Sequence, residues 1–104
     1  MEHVVNVGLL GFGTVGSGVA RLIKDHQVEL QDQASCPVQV EKILVKDLNK
    51  KRDIDIDKAK FTTRVEDIID NPNIDVVIEV MGGIEHTKDI ILNALRNQKH
   101  VITA

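Results

Sequence analysis

Two hydrophobic patterns alternate along the chain. Residues 4–10 and 74–81 are mostly apolar, and residues 38–45 alternate before ending in an apolar triplet. Such runs are typical of strands in a parallel sheet, because helices cover both faces of the sheet and bury the strands between them. At residues 14–30 and 84–97, apolar residues recur at helical spacing instead. The alternation of strands and helices predicts an α/β fold.

Two short strands and one short helix complete the predicted fold. Residues 61–62 and 100–103 indicate the strands. Thr63 and Glu66 have the spacing of a capping box, in which two side chains pair with backbone N–H groups, and they predict a helix through Ile69. The chain therefore predicts a Rossmann-type doubly wound parallel sheet of about five strands with flanking helices.

The two long helices are each expected to place an apolar face on the sheet. The first helix is expected to end near residue 30, because residues 31–37 are polar and finish in a proline. The residues expected to face the sheet are Val15, Val19, Leu22 and Ile23 in the first helix, and Ile90, Ile91, Ala94 and Leu95 in the last.

A glycine-rich turn, Gly11-x-Gly13-x-x-Gly16, joins the first strand to the first helix. Gly11 allows a tight turn out of the strand, Gly13 allows close approach of the backbone to a diphosphate, and Gly16 allows the helix to lie against the strand. Backbone N–H groups at residues 14–16 then point at the phosphates, and the helix dipole favours their negative charge. The turn predicts a dinucleotide-binding site, with a purely structural turn as the alternative.

Basic residues follow the second strand, where a doubly wound sheet binds the adenosine ribose. Lys46 stands at the strand tip, Asp47 follows it, and residues 50–52 are Lys-Lys-Arg. A carboxylate at the tip accepts hydrogen bonds from both ribose hydroxyls, whereas a basic residue favours the 2′-phosphate of NADP. The charge balance favours NADP through Lys46, with NAD as the alternative. Residues 50–52 fit a solvated loop equally well.

A glycine pair, Gly82 and Gly83, follows the strand at residues 74–81. Its position allows the backbone to approach a ligand, which at this edge of the sheet would be the nicotinamide half of the dinucleotide. A plain turn from strand to helix is the alternative.

The composition excludes several classes of partner. A chain of 104 residues with a net charge of −3 suffices for one small domain and lacks the positive charge that nucleic acids or anionic membranes attract. The absence of a long apolar run and the single cysteine, Cys36, predict a cytoplasmic protein without a disulfide or a membrane segment. The four histidines lack ligand spacing, so no metal site is predicted.

With these pieces in place, the chain resembles the N-terminal nucleotide-binding domain of the homoserine dehydrogenase family. The resemblance spans nearly the whole chain and is carried by residues 7–19, 45–48, 74–85 and 99–104. These contain the glycine turn, Val-Lys-Asp-Leu, Ile-Asp-Val-Val-Ile-Glu-Val-Met-Gly-Gly-Ile-Glu and Lys-His-Val-Ile-Thr-Ala, in that order. The resemblance implies hydride transfer that interconverts L-homoserine and L-aspartate 4-semialdehyde with NADP or NAD, in threonine, methionine and isoleucine biosynthesis.

The resemblance also implies where the cofactor lies. The glycine turn would hold the pyrophosphate, and Lys46 matches a position where many family members have an arginine facing the 2′-phosphate. Segments at the ends of the last two strands would line the nicotinamide ribose, and no catalytic residue falls in this chain. The cofactor-binding residues so implied are Gly11, Phe12, Gly13, Thr14, Val15, Gly16, Lys46, Gly82, Gly83, Thr103 and Ala104.

Family members continue after Thr-Ala with Asn-Lys and a substrate and dimerisation domain. Residues 1–104 are therefore expected to be the NAD(P)-binding domain alone, inactive towards homoserine, of a protein that is a homo-oligomer at full length. Two other interpretations stay open: the cofactor domain of another amino-acid or sugar-derivative dehydrogenase, and a free-standing nucleotide-sensing module.

Overall fold

The fold was analysed in a computed structural model, which describes residues 3–50, 56–81 and 87–103. Strands and helices alternate along these residues, as the hydrophobic pattern predicts. In chain order the elements are β1 (Val5–Leu10), α1 (Thr14–Asp25), α2 (Gln27–Ala34), β2 (Val38–Leu44), a single 3₁₀ turn (Lys58–Lys60), β3 (Phe61–Thr62), α3 (Glu66–Ile69), β4 (Val76–Glu79), α4 (Thr87–Arg96) and β5 (His100–Thr103).

The described strands form one five-stranded sheet in the order β3-β2-β1-β4-β5. Each neighbouring pair is parallel, with Val7 opposite both Val40 and Val76. The chain moves outward from β1 to β3 on one side, then returns and moves outward through β4 and β5 on the other. The order therefore reverses between β1 and β4, and the carboxyl ends of these strands border a crevice where such sheets bind ligands. The predicted doubly wound Rossmann-type fold is confirmed.

Buried side chains in the described part of the chain form two clusters, and successive residues of β1 alternate between them. Leu9 packs with Ala20 and Ile23 of α1. Leu10 points to the opposite face, where it packs with Ile68 of α3 and Ala94 of α4. This alternation is the period of two that a strand requires, and it accounts for a strand that is apolar throughout.

The predicted first helix is wrong in its length and continuity. The helix breaks at His26, whose φ of −118° and ψ of 39° are not helical, and resumes as α2. Helix α2 continues to Ala34, into residues 31–37 that were expected to form a loop, and ends at Ser35 in the left-handed conformation, with a φ of 61°. Residues 27–34 include neither glycine nor proline, so nothing in the local sequence stops a helix before Ser35.

The predicted buried faces of the helices are also partly wrong. In α1 the buried residues are Gly16, Ala20 and Ile23, whereas Val15 and Leu22 are 55% and 54% exposed. The small residues at positions 16 and 20 let the helix approach the sheet closely, so they occupy the contact face in place of larger side chains. Val19 packs against the buried cluster as expected. In α4, Ala94 is buried and Ile90 packs on it, but Leu95 is 52% exposed.

The predicted capping box of Thr63 and Glu66 is wrong, although the helix does run through Ile69 as predicted. Helix α3 begins at Glu66 without a side-chain cap from the residue before it. The buried hydroxyl of Thr62 accepts a hydrogen bond from the Arg64 N–H at 3.1 Å and donates one to Asp67 Oδ2 at 2.6 Å. A threonine already held by the sheet thus organises the helix start in place of Thr63.

Candidate functional site

An open cleft of about 690 Å³ lies at the carboxyl ends of the central strands. It is bordered by the turn after β1, the end of β2 with the loop that follows, the end of β3, and the end of β4. Four strands that are distant in sequence thus contribute to one site, as the reversal of strand order predicts. The lining residues are Gly11, Phe12, Gly13, Leu44, Val45, Lys46, Asp47, Lys50, Thr63, Val80 and Met81.

Two glycines of the turn, Gly11 and Gly16, are required for the fold, whether or not a ligand binds. Gly11 has a φ of 110°, a conformation that side-chain-bearing residues rarely adopt. A Cβ at Gly16 would lie 2.4 Å from the carbonyl oxygen of Gly11, which is closer than atoms can approach. Gly16 therefore lets the first turn of α1 pack directly on the turn that precedes it. These two positions explain the turn's shape without any ligand.

Gly13 differs from both of them. It precedes α1, has an extended conformation with φ −78° and ψ −152°, and lines the cleft. Among the described residues, nothing lies within 4 Å of the position that its Cβ would occupy. The fold therefore leaves room for a side chain at Gly13, a residue that lines the cleft. A ligand that approaches the backbone closely would use this space.

The start of α1 favours a negatively charged ligand. Thr14 and Val15 form its exposed first turn, followed by the buried Gly16. The first N–H groups of a helix lack acceptors within the helix, and the first turn of α1 has no acidic residue to compete for them. Phosphate oxygens are suitable acceptors for such N–H groups.

The loop after β2 supplies charge to the other side of the cleft. Lys46, Asp47 and Lys50 are exposed and line it. Asp47 Oδ1 accepts a hydrogen bond from the Asn49 N–H at 2.9 Å, so this carboxylate helps to shape the loop. If the ligand were NAD, Asp47 would be the residue that binds the ribose hydroxyls, and this contact already uses one of its two carboxylate oxygens. The predicted basic residues Lys51 and Arg52 lie outside the described residues.

The far side of the cleft is formed by the residues after β4. Val80 and Met81 line it, and the buried Glu79 precedes them. Thr103 stands opposite Glu79 in the sheet, at the exposed end of β5, and is not among the described residues that line the cleft. Gly82, Gly83 and Ala104 lie outside the described residues, so their predicted contacts with the nicotinamide ribose stay predictions.

The sequence reasoning missed Thr63, Val80 and Met81 as lining residues. Each follows the end of a strand at the same edge of the sheet as the glycine turn. Because β3 lies beside β2 in a doubly wound sheet, the strand order indicates that Thr63, which follows β3, lies at this edge. Hydrophobic pattern alone gives no such signal.

The described parts of the chain contain neither a group of side chains suited to a metal ion nor a helix suited to spanning a membrane. No group of three or more His, Cys, Asp or Glu side chains there is placed to hold a metal ion. Over the same residues, the helices are too short or too polar to cross a bilayer.

The fold and the cleft define a dinucleotide-binding domain of the Rossmann type. Comparison with known families narrows this class, because the family model described as "Homoserine dehydrogenase, NAD binding domain" matches residues 11–104. The chain belongs to this family of NAD-binding domains. The resemblance of the sequence and its expected cofactor class, NAD(P), are thereby confirmed.

Individual relatives agree with the family match. The homoserine dehydrogenase of Bacillus subtilis (strain 168) is 58% identical over 100 residues, which cover 96% of this chain and 23% of that protein. The corresponding protein of a Synechocystis species is 37% identical, with the same coverage. The chain thus spans about a quarter of the length of these relatives.

Solved structures show the same relationship in three dimensions. The crystal structure of S. aureus homoserine dehydrogenase at pH 6.0 superposes with a TM-score of 0.90 at 44% identity, over 97% of this chain and 26% of that one. The homoserine dehydrogenase of Thiobacillus denitrificans superposes with a TM-score of 0.85 at 32% identity, over 99% of this chain and 24% of that one.

Proposed function

We propose that the cleft binds NADP or NAD across the reversal in strand order. The Gly11–Gly16 turn and the first N–H groups of α1 hold the pyrophosphate, while Lys46 faces the 2′-phosphate of the adenosine ribose. The nicotinamide ribose lies on the β4 side, near Gly82, Gly83, Thr103 and Ala104. The open space at Gly13 is the observation that carries this proposal, because the fold leaves this glycine's Cβ position empty and the cleft lies beside it.

The residues of the cleft fit such a ligand in shape and charge. Gly13, which precedes α1, lines the cleft together with Lys46 on the β2 side and the apolar Val80 and Met81 on the β4 side. We place the pyrophosphate at Gly13, beside the first N–H groups of α1. The bound nicotinamide supplies or accepts the hydride, and this chain's own residues bind and orient it.

We further propose that residues 1–104 are the cofactor-binding part of a homoserine dehydrogenase, which interconverts L-homoserine and L-aspartate 4-semialdehyde. The 58% identity to the Bacillus subtilis enzyme supports this assignment. Because the chain spans only 23% of that relative, we place substrate binding and proton transfer in a further domain, and we expect residues 1–104 alone to be inactive. Appreciable homoserine oxidation by the 104-residue chain would contradict this expectation.

The wider assignment follows from the same family. The full-length enzyme would serve threonine, methionine and isoleucine biosynthesis, in the cytoplasm and as a homo-oligomer. Assays of the full-length protein with a panel of substrates test whether homoserine is the alcohol that it oxidises. Preferential turnover of a different amino-acid or sugar-derivative alcohol would replace homoserine as the substrate, and absence of any turnover would favour a nucleotide sensor.

Calorimetric titration with NADP and NAD tests the cofactor site. Gly13→Val places a branched side chain in the open space beside the cleft. It is expected to lower the affinity about a hundredfold, the equivalent of roughly 2.7 kcal/mol. Gly18→Val is the matched control, since a Cβ at Gly18 also meets nothing within 4 Å among the described residues but lies a turn further along α1. If Gly13→Val and Gly18→Val bind NADP and NAD with equal affinity, the glycine turn is not the pyrophosphate site.

A further inference from the structure

Glu79 is a buried carboxylate in an otherwise apolar strand. It is 5% exposed and ends β4, where it shares a sheet face with Val77 and Met81. Its Oε2 accepts a hydrogen bond from the Met81 N–H at 2.7 Å. The side chain thus reaches forward along its own chain and binds the backbone just beyond the strand.

This hydrogen bond holds the segment that borders the cleft. The Val80 N–H donates to Leu10 O of β1 at 3.0 Å, which continues the sheet ladder one residue beyond β4. At the next residue, Met81, the Glu79 carboxylate supplies the acceptor. Val80 and Met81, which both line the cleft, are therefore fixed by two successive contacts.

The same two residues abut the glycine turn. A Cβ at Gly11 would lie 3.2 Å from Met81 Cγ and 3.2 Å from Val80 O. The corresponding Cβ at Gly16 would lie 3.1 Å from Val80 Cγ2. A shift of the residues after β4 would therefore either press on the turn or open a gap beside it.

We propose that Glu79 is a positioning residue for cofactor binding, which acts by holding Val80 and Met81 against the glycine turn. This inference rests on the proposed function of the cleft. In the proposed complex the adenosine ribose lies beside Lys46, on the β2 side of β1, whereas β4 lies on the other side of β1. Glu79 therefore fixes the wall that receives the nicotinamide half, while the adenosine half is held elsewhere.

Filling the core does not by itself explain why a carboxylate stands at the buried position of Glu79. An apolar residue of similar volume would fill the same space and would leave no buried polar atoms that need hydrogen-bond partners. Glu79 supplies what leucine lacks, an acceptor for the Met81 N–H. Its effect is thus expected on the geometry of the cleft more than on the stability of the fold.

Calorimetry on the full-length protein tests the inference with two ligands, NADP and adenosine 2′-phosphate, which lacks the phosphate that the glycine turn would bind. Glu79→Leu removes the acceptor, and Glu79→Asp shortens the side chain so that it no longer reaches the Met81 N–H. Both variants are expected to bind NADP about tenfold more weakly, with affinity for adenosine 2′-phosphate within about twofold of that of the unchanged protein. Glu79→Gln keeps an acceptor oxygen at the original distance and is expected to restore NADP binding.

Lys99→Met is the matched control for a destabilised fold. Lys99 is also buried and hydrogen-bonded to backbone, but it lies at the amino end of the sheet, away from the cleft. It is expected to leave both affinities unchanged. Unchanged NADP binding by Glu79→Leu and Glu79→Asp would overturn the inference, as would equal loss of both ligands or failure of Glu79→Gln to restore binding. If the unchanged protein binds neither ligand, or Gly13→Val binds NADP as well as the unchanged protein does, the proposed function itself is wrong.

Discussion

The ring of Phe12 contacts the ring of Phe61 edge-on, with centroids 5.1 Å apart and planes inclined at 83°. These are the two aromatic residues of the whole chain. Phe12 belongs to the glycine turn, and Phe61 begins β3 at the edge of the sheet. The contact therefore ties the turn that borders the cleft to an edge strand two positions away from β1.

A double-mutant cycle on this pair is expected to show coupling. Edge-to-face aromatic pairs contribute about 0.5–1.5 kcal/mol beyond the area they bury. Phe12→Leu and Phe61→Leu are therefore expected to be less destabilising together than the sum of their separate effects, by about 1 kcal/mol in urea unfolding. Phe12→Leu combined with Lys99→Met, at the opposite end of the sheet, should be additive. Additivity in the aromatic pair would show that the ring contact contributes nothing specific.

Two glycines of α1 are expected to respond oppositely to alanine. The methyl group of Gly16→Ala would lie 2.4 Å from Gly11 O, which is backbone and cannot rotate away. Overpacking of this kind costs about 1–3 kcal/mol of stability. At Gly18 nothing in the described structure lies within 4 Å, and Gly18→Ala is expected to stabilise the protein by about 0.5–1 kcal/mol through helix propensity. Thermal unfolding measures both, and a stable Gly16→Ala protein would show that the turn can move away from α1.

The sheet could be predicted from the sequence because its signals are local. Apolar runs mark β1 and β4, and the spacing of Gly11, Gly13 and Gly16 indicates the turn between β1 and α1. The contact face of α1 could not be predicted in the same way. Hydrophobicity favours Val15 and Leu22, but close approach to the sheet favours small residues, and only the packed structure decides between these effects.

The residues of the candidate site also fall into two groups, those with a local sequence signal and those brought together only by the folded sheet. The glycine turn and Lys46 were recognised because sequence spacing places them at strand ends. Thr63 and Met81 were missed, since they line the same cleft as Gly11 only because their strands meet in the folded sheet. The break at His26 was missed because the residues around it have ordinary helix propensity and give no local signal that a helix ends there.

Lys46 is expected to determine the preference for NADP over NAD. Lys46 lines the cleft just beyond the end of β2, where its ammonium group would attract the dianionic 2′-phosphate. Lys46→Ala is expected to weaken NADP binding about tenfold and to change NAD binding by less than about twofold. Lys24→Ala is the control for charge alone, because Lys24 lies in the last turn of α1, remote from the glycine turn. Equal loss of NADP and NAD would assign Lys46 to the shared part of the ligand.

Lys99 is expected to make stability depend on pH in the alkaline range. It is 7% exposed, and its Nζ donates to Asn71 O at 2.6 Å and to Ile74 O at 2.9 Å, which joins the residues after α3 to the approach to β4. Burial lowers the pKa of Lys99 below its ordinary value of 10.5, while the negative charges of Asp75 and Asp70 act in the opposite direction with smaller effect.

The sign of the dependence follows from this shift. Because the pKa of Lys99 is lower in the folded than in the unfolded protein, the unfolded chain binds more protons between the two values. Stability therefore rises with pH in that interval. Below the folded pKa the lysine is protonated in both states, and its contribution no longer changes with pH. Urea unfolding of the protein and of Lys99→Met, from neutral pH to pH 10.5, isolates this contribution because the other groups cancel in the comparison. The stability of the protein relative to Lys99→Met is expected to increase as the pH approaches 10.5. A relative stability that falls over this range would mean that Asp75 and Asp70 outweigh burial and hold the ammonium form in the fold.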